Sequence, residues 1–305
     1  MEKRIKNNNL PSPPHITAKS WVVLNISTGE LLGGQHEHER REIASITKVM
    51  TAYTAIQIID SLNINVDESR VETSYDASLM IGTTAYLEEG DVLSVRDMLH
   101  AMLLPSGNDA AYALAEYFGL VLIELGLKAS KVVDPIQVFL CEMNKNAKAI
   151  GMSNTNYANP HGLQNFFNKS SALDIAKLSQ VAMRFPLFSE IVKKQKYSCT
   201  GQDLFGNNKT FVWKNTNKLL AKGFNGLKTG ITTSAGPCLA SNYKDDRANL
   251  IIVVLSSKTP DHRWTETVKL RDWSLRLLTK AKEKNENIEI KKVVAYDTKK
   301  RGKVF

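Results

Sequence analysis

Hydrophobic positions along the chain follow two different periods, and the changes of period mark the predicted elements. Near the amino end, two short apolar runs, SWVVLNIS and GELLGG, flank Thr28-Gly29 and predict a β-hairpin. From Ser45 onward, apolar residues recur every three or four positions and predict a helix of about four turns that begins at the serine. Late in the chain, NGLKTGITT, GPCLASNYK and ANLIIVVLSS predict three strands, and the last is apolar enough for the centre of a sheet.

Between the hairpin and the late strands, the spacing predicts a block of helices. LSVRDMLHAMLL begins with Ser94 and Asp97 in capping-box spacing, and Pro105 and Gly107 then interrupt the pattern. NDAAYALAEYF starts the next helix, so PSGN forms a short loop between two helices. The remaining predicted helices are DPIQVFLCEMNKNAKAIG, SALDIAKLSQVAMRF and the amphipathic closing segment HRWTETVKLRDWSLRLLTKAKE.

The order of these elements predicts a fold of the α and β class. Strands at both ends of the chain imply that the first hairpin and the last three strands join one mainly antiparallel sheet, flanked by helices, with a helical subdomain inserted. Residues 1–19 are rich in Asn, Pro and Lys and predict a disordered lead-in. We expect the folded domain to cover 20–280 and a charged tail to cover 281–305.

Composition narrows the classes of function without selecting one. The chain has 305 residues, of which 43% are hydrophobic and 23% charged, so it is long and apolar enough for a large core. A formal net charge of +9 favours an anionic partner. Many of the lysines lie near the chain ends, where charge runs are usually solvated, and no nucleic-acid-binding motif occurs. Nucleic acid is therefore not an expected partner.

No metal, cofactor or membrane-spanning segment is predicted. The three cysteines, at 141, 199 and 238, lack CxxC spacing and predict buried thiols rather than disulfides or a zinc cluster. Neither HExxH nor a Cys/His cluster occurs. The amino end lacks the apolar run of a signal peptide, and no segment has the apolar length that crosses a bilayer. We expect a soluble chain that stays where it is made.

Ser45 and Lys48 have S-x-x-K spacing, which places two side chains on one face of a helix. Two interpretations of the pair are open. Ser45 could cap the helix, as serines at helix starts usually do. Alternatively, Ser45 is a nucleophile and Lys48 takes its proton, provided that burial and a second cation depress the lysine pKa. The spacing alone is a weak signal, because Ser241 and Lys244 share it.

Two further motifs follow in order along the chain. PSGN supplies Ser106 and Asn108 on the loop between helices, and LKTG supplies Lys228, Thr229 and Gly230 at the expected opening of a strand. S-x-x-K, then S-x-N, then K-T-G is the motif set of penicillin-binding proteins and class A β-lactamases. The three motifs in compatible settings favour the nucleophile interpretation of the serine.

Longer stretches make this resemblance closer. ASITKVMTA, GTTAYLEEGDVLSVRDMLHAMLLPSGNDAA, NPHGL, KNTNKLL and GLKTGITTSAGPCLA resemble D-alanyl-D-alanine carboxypeptidases, the low-molecular-mass penicillin-binding proteins that trim bacterial cell-wall stem peptides. The similarity runs from about Trp21 to Leu278. It implies a β-lactamase-like fold in which a sheet carrying K-T-G faces a helical subdomain carrying S-x-N, with the nucleophile helix between them.

The resemblance also implies roles for the first two motifs. Ser45 would attack the carbonyl between two D-alanines and become acylated, and Lys48 would take its proton. Ser106 would relay a proton to the leaving amine, while Asn108 would hold the peptide backbone and contact the lysine. The backbone N–H groups of Ser45 and Ile231 would form an oxyanion hole.

The third motif is implied to bind the end of the substrate. Lys228 would supply a second positive charge beside Lys48 and, with Thr229, face the terminal carboxylate. Gly230 would let the substrate lie close along the strand edge. Arg263, after the last strand, would bind the same carboxylate. The implied partners are a peptide ending in D-Ala-D-Ala and β-lactams as covalent inhibitors, without a cofactor.

Two other functions stay open. Class A β-lactamases need a glutamate to activate the deacylating water, and NPHGLQNFFNK, between S-x-N and K-T-G, contains none. A catalytically idle relative that binds peptides or wall fragments would keep the same fold. His161 in NPHGL is expected to shape a turn, because no G-x-S-x-G elbow accompanies it as in a Ser-His-Asp hydrolase.

The chain departs from the family at its ends. Family members usually carry an export signal and often continue into a β-rich second domain. NIEIKKVVAYDTKKRGKVF begins like the first strands of such a domain and then stops, so the tail is interpreted as its stub. Where the protein acts stays open. Whether water or an amine accepts the acyl group stays open as well.

Overall fold

The fold combines two antiparallel sheets with a block of helices. The computed structural model describes residues 11–126 and 134–301, with side chains through Glu283. The strands in these ranges are β1 (Ser20–Asn25), β2 (Glu30–Gln35), β3 (Arg70–Glu72), β4 (Val92–Ser94), β5 (Lys196–Gln202), β6 (Asn208–Lys214), β7 (Phe224–Gly230), β8 (Cys238–Lys244) and β9 (Asn249–Leu255). The α-helices are α1 (Thr47–Leu62), α2 (Tyr75–Ser78), α3 (Val95–Leu103), α4 (Asn108–Glu124), α5 (Pro135–Ile150), α6 (Ala172–Ala182), α7 (Pro186–Lys193) and α8 (His262–Arg301).

The larger sheet has five antiparallel strands in the order β2-β1-β9-β8-β7. The first hairpin thus joins the last three strands, and β9 lies at the centre, as predicted. Successive side chains of β9 point to opposite faces of the sheet. Both faces are buried, because consecutive residues of the strand are buried. Ile251 and Val253 face the main core beside α6, whereas Ile252 and Val254 face a second core beneath α8. The strand that carries K-T-G, β7, forms one edge of this sheet.

The outer face of the large sheet is covered by α8 and by the segment that precedes β1. Trp264 and Trp273 are buried against it, as expected for large aromatic surfaces. Residues 11–19 pack here too: Ile16 is buried, and Trp273 Nε1 donates a hydrogen bond to Pro11 O at 2.9 Å. The segment 11–19 is therefore ordered and not disordered as predicted, because its apolar residues pack into this core. Residues 1–10 lie outside the described residues.

The helical region surrounds α1, which packs against α3, α4, α5 and α6. Ser94 caps α3 as predicted, and its hydroxyl accepts a hydrogen bond from Asp97 N at 3.0 Å. A second sheet, with the order β3-β4-β5-β6, borders this region and was not predicted. Two of its strands have three residues each, and β5 and β6 are half exposed, so their apolar pattern is weak.

The carboxyl end differs from the strand-like stub that the sequence suggested. α8 continues to Arg301, and 302–305 lie outside the described residues. Among the described helices, none combines the length and the apolar character that a bilayer crossing requires. Of the three cysteines, Cys238 is buried, Cys199 is half-buried and Cys141 is exposed, so the expectation of buried thiols holds fully for Cys238 alone.

Candidate active site

Ser45 lies in a 3-10 turn, Ala44–Ile46, that leads directly into α1. The helix therefore starts two residues later than the serine. The N-cap positions of the turn and of α1 are Ile43 and Ile46, and neither has a side-chain cap hydrogen bond. Ser45 Oγ instead lies 3.0 Å from Lys48 Nζ. The serine side chain thus contacts the lysine and caps neither helix.

Lys48 is completely buried in the first turn of α1. Its Nζ lies 2.6 Å from Asn108 Oδ1 and 2.7 Å from the carbonyl oxygen of His161. Burial, and second to it the charge of Lys228, hold the pKa of Lys48 well below its usual value, while Asp109 opposes the shift. Both predicted causes therefore act on Lys48, and burial is the larger of the two.

The S-x-N motif forms a tight loop between α3 and α4, as predicted. Ser106 is buried with φ of 72°, and its Oγ has no hydrogen-bond partner among the described residues. Its carbonyl accepts a hydrogen bond from Thr83 Oγ1 at 2.7 Å. Asn108 begins α4, and its Nδ2 donates to the carbonyl of Ile81 at 2.6 Å. The loop is therefore held by the segment 81–83, and the buried serine hydroxyl keeps its hydrogen-bonding capacity.

K-T-G lies at the carboxyl end of β7, not at the opening of a strand as predicted. Pairing with β8 continues through Gly230 opposite Cys238, and the following residues Ile231 and Thr232 leave the sheet. β7 begins at Phe224, one residue before the predicted run NGLKTGITT, and ends three residues before the end of that run. This position puts the motif at the edge where the chain turns toward Ser45.

Lys228 is buried and its Nζ donates to the carbonyl of Thr229 at 3.2 Å. Burial, followed by the charge of Arg263, lowers the pKa of Lys228 from 10.5 to about 7. Thr229 Oγ1 shares a hydrogen bond of 2.8 Å with Thr216 Oγ1.

The lowered pKa of Lys228 predicts a dependence of stability on pH. The unfolded chain binds more protons than the folded chain between about 7 and 10.5, so this group's contribution to the free energy of unfolding rises with pH over that window. Lys228→Met removes the titration. In urea unfolding, we expect the free energy of unfolding of the parent to rise relative to that of the variant between about pH 7 and about pH 10. A difference that stayed constant with pH would contradict the low pKa.

Two glycines make room for the turn that carries Ser45. A Cβ on Gly230 would lie 2.8 Å from Ile43 O and 3.1 Å from Ser45 N. Gly230, which was expected to admit the substrate along the strand edge, lines the cleft, and the side on which a Cβ would stand faces the turn. A Cβ on Gly162, whose φ is 86°, would overlap the carbonyl of Ala44 and lie 2.9 Å from Ser45 N. The sequence analysis assigned no role to Gly162, and its place in NPHGL was the one available signal.

His161 shapes the turn before Gly162, as predicted. Its Nδ1 accepts a hydrogen bond from Leu163 N at 3.1 Å, which assigns the other nitrogen as the protonated one in the neutral ring. Burial, and then the charge of Lys48, lower its pKa to about 3. The contribution of its backbone could not be predicted, because a carbonyl that accepts from Lys48 leaves no mark in the side-chain pattern.

Asp109 is a buried carboxylate beside Asn108 that the sequence analysis also missed. It accepts hydrogen bonds from Thr84 Oγ1 at 2.6 Å, Ala85 N at 2.9 Å and Leu87 N at 3.2 Å. These bonds fix the loop that borders the active site against the start of α4.

One cleft collects most of the predicted residues. Its lining includes Ser45, Ser106, Asn108, Thr229, Gly230, Ile231 and Arg263. The two lysines of the motifs are buried and do not line it. Arg263 is the second residue of α8, and its Nη1 donates to the carbonyl of Gly230 at 3.0 Å. The three motifs therefore converge, although they lie far apart in the sequence.

A serine hydroxyl beside an amine that burial keeps poorly protonated is the arrangement of a nucleophilic serine enzyme with lysine as its base. Its setting, between an S-x-N loop on helices and a K-T-G sheet edge, is that of the penicillin-interacting class. A family model described as D-alanyl-D-alanine carboxypeptidase, peptidase S11, matches residues 7–259. The chain belongs to this family of serine peptidases.

Individual relatives agree with the family. The D-alanyl-D-alanine carboxypeptidase DacF of Bacillus subtilis is 32% identical over 84% of this chain, which spans 62% of the length of that relative. The D-alanyl-D-alanine carboxypeptidase of Streptomyces sp. K15 is 30% identical over 87% of this chain and 89% of its own length.

Solved structures share the fold. The crystal structure of the Streptomyces K15 DD-transpeptidase has a TM-score of 0.80 and 30% identity, and covers 88% of this chain and 100% of its own. The D-alanyl-D-alanine carboxypeptidase DacD from Francisella tularensis has a TM-score of 0.74 and 27% identity, over 88% of this chain and 73% of its own. The predicted fold class is confirmed.

Proposed function

We propose that this chain is a serine-type D-Ala-D-Ala carboxypeptidase that removes the terminal D-alanine of peptidoglycan stem peptides through an acyl-serine intermediate. The observation that carries the proposal is the 3.0 Å separation between Ser45 Oγ and the buried Nζ of Lys48. The names of the relatives, which are D-alanyl-D-alanine carboxypeptidases, support the class of substrate.

The hydrogen bonds of Lys48 support its role as the base. A neutral amine has two N–H groups and one lone pair. Asn108 Oδ1 and the carbonyl of His161 can only accept, so they occupy both N–H groups. The lone pair is then left for the hydroxyl proton of Ser45. As that proton moves to Nζ, Oγ attacks the carbonyl carbon between the two D-alanines.

The tetrahedral oxyanion would be bound by the backbone N–H groups of Ser45 and Ile231. Ile231 follows Gly230, whose missing side chain lets β7 approach the Ser45 turn closely. Donors of this kind contribute roughly 3 to 4 kcal/mol each in acyl transfer. The unpartnered hydroxyl of Ser106 would carry the proton from Lys48 to the leaving nitrogen. The C–N bond then breaks, and D-alanine departs with that proton.

The carboxylate of the departing D-alanine would lie against Thr229 and Arg263. Both residues line the cleft, and the charge of Lys228 lies behind them. Arg263 Nε is buried without a hydrogen-bond partner among the described residues, so the guanidinium keeps capacity for an anion.

Water would then hydrolyse the acyl-serine and complete the reaction. A β-lactamase is less well supported, because the cleft lining contains no glutamate among the described residues. We therefore expect penicillin to form a durable adduct. An amine as acceptor is the related alternative, since the K15 enzyme is named both a carboxypeptidase and a DD-transpeptidase.

Labelling with a fluorescent penicillin tests the proposal. A durable label that is absent in Ser45→Ala, together with free D-alanine from a diacetyl-lysyl-D-alanyl-D-alanine peptide, is the expected result. Ser241→Ala is the matched control, because Ser241 shares the S-x-x-K spacing but is buried in β8 without a partner for its hydroxyl among the described residues. A label that decays within minutes would indicate a β-lactamase, and a folded chain without label would indicate the idle relative.

A further inference from the structure

The proposed reaction gives the substrate a direction in the cleft. The scissile carbonyl must meet Ser45, and the terminal carboxylate lies toward Thr229 and Arg263. The acyl part of the peptide must therefore leave past the opposite lining residues. We call these the acyl-side wall, and they are Gly82, Thr83, Gly162 and Leu163.

The acyl-side wall is fixed to the catalytic loop. Asn108 N donates to the carbonyl of Thr83 at 2.8 Å, next to the bond between Asn108 Nδ2 and Ile81 O. A Cβ on Gly82 would lie 2.9 Å from Asn108 Nδ2 and 3.4 Å from Leu163 Cδ2. The side chain of Leu163 thus packs on Gly82, directly beside the asparagine that would hold the acyl part. Its apolar surface lines the cleft.

The cleft offers no partner to a positively charged side chain. Arg263 is the one charged residue in the described lining. Two acids from the neighbouring segments are already engaged: Asp109 is buried and accepts hydrogen bonds from the backbone of Ala85 and Leu87, and Glu42 accepts one from the hydroxyl of Ser234. Arg263 lines the cleft and Lys228 is buried behind it, so the field of the cleft is positive.

Resting on the proposed function, we infer that the cleft selects peptides whose residue before D-Ala-D-Ala has an uncharged side chain, either aliphatic or with its amine already acylated. An ammonium group beside Leu163 would lose hydration, find no carboxylate among the described lining residues and be repelled by Arg263 and Lys228. An aliphatic or amide-capped side chain would bury apolar surface there instead. Stem peptides with a free amine at this residue are then the poorer substrates.

Two peptides with the same four-carbon side chain test this selection. Nα-acetyl-lysyl-D-Ala-D-Ala carries an ammonium group at the end of that chain, and Nα-acetyl-norleucyl-D-Ala-D-Ala does not. With the 305-residue chain, we expect kcat/KM for release of D-alanine to favour the norleucyl peptide by at least about tenfold. Equal values, or a preference for the lysyl peptide, would overturn the inference.

A charge introduced on the acyl-side wall should change the preference. Leu163→Asp and Leu163→Asn have the same shape and differ in charge, so a loss of packing affects both. We expect the norleucyl-to-lysyl ratio to be about fivefold lower in the Asp variant than in the Asn variant. Leu79→Asp is the outer control, since Leu79 is 58% exposed and does not line the cleft, and its ratio should equal that of the parent.

These outcomes are separable from those of the proposed function. If neither peptide releases D-alanine, the proposed function fails. If both are hydrolysed but the ratio is the same in Leu163→Asp and Leu163→Asn, the activity stands and the apolar selection is wrong.

Discussion

Lys48→Ala is expected to slow the acylation of Ser45 by penicillin by about 10⁴-fold, because it removes the group that takes the hydroxyl proton. Among the described residues, Ser45 Oγ has no other hydrogen-bond partner. Truncation also leaves Asn108 Oδ1 and the carbonyl of His161 without their donor, at about 1–3 kcal/mol each. Relief from burying an amine offsets part of that loss, so the variant should remain folded. The measurement is the second-order rate of labelling, with circular dichroism as a check on folding.

Two further variants make the test of Lys48 specific. Lys48→Arg retains a cation that cannot be deprotonated, and it should be as slow as the alanine variant. Lys244→Ala is the matched control, because Lys244 belongs to the second S-x-x-K spacing and is exposed. Labelling of Lys48→Arg at the parental rate would show that the lysine supplies charge and not a proton acceptor.

Gly162→Ala is expected to lower the acylation rate by about 10²-fold, although Gly162 contributes no chemical group. The added methyl would overlap the carbonyl of Ala44 and push the turn away from its position. A displacement of about 1 Å at a nucleophile reduces rates by this factor. The free energy of unfolding should also fall, by about 2–4 kcal/mol from overpacking and left-handed strain combined.

Gly151→Ala separates strain from overlap. Gly151 has φ of 81°, close to the 86° of Gly162, but a Cβ there meets nothing within 4 Å. Its alanine variant should lose only about 1 kcal/mol and label at the parental rate. If Gly162→Ala and Gly151→Ala lose the same stability and label at the same rate, the close approach of Gly162 to the Ser45 turn does not affect acylation. Urea unfolding and labelling provide both measurements.

Much of the fold could be predicted because its elements are strongly patterned. The continuous apolar run of β9 and the capped helices α3 and α6 leave clear signals in the sequence. The second sheet could not be predicted in the same way. Its strands β5 and β6 are partly exposed, and the hairpin that they form joins the sheet through the pairing of Gln202 with Val92 of β4, about 100 residues earlier.

The candidate site was predictable in its side chains and not in its backbone. The nucleophile, the lysines and the S-x-N residues appear as motifs because their side chains carry the proposed chemistry. The carbonyl of His161 and the space above Gly162 depend on how two distant turns meet, and a single sequence holds no record of that contact. The position of K-T-G in its strand was wrong for a related reason, since register depends on β8.

The strand order also has a consequence for the order of events during synthesis. Ser45 emerges from the ribosome long before Lys228 and Arg263, and β1 cannot complete the sheet until β9 is available to pair with it. Such long-range pairing forms slowly and late. We therefore expect a nascent chain that has not reached β9 to be inert toward penicillin, which makes covalent labelling a measure of completed folding.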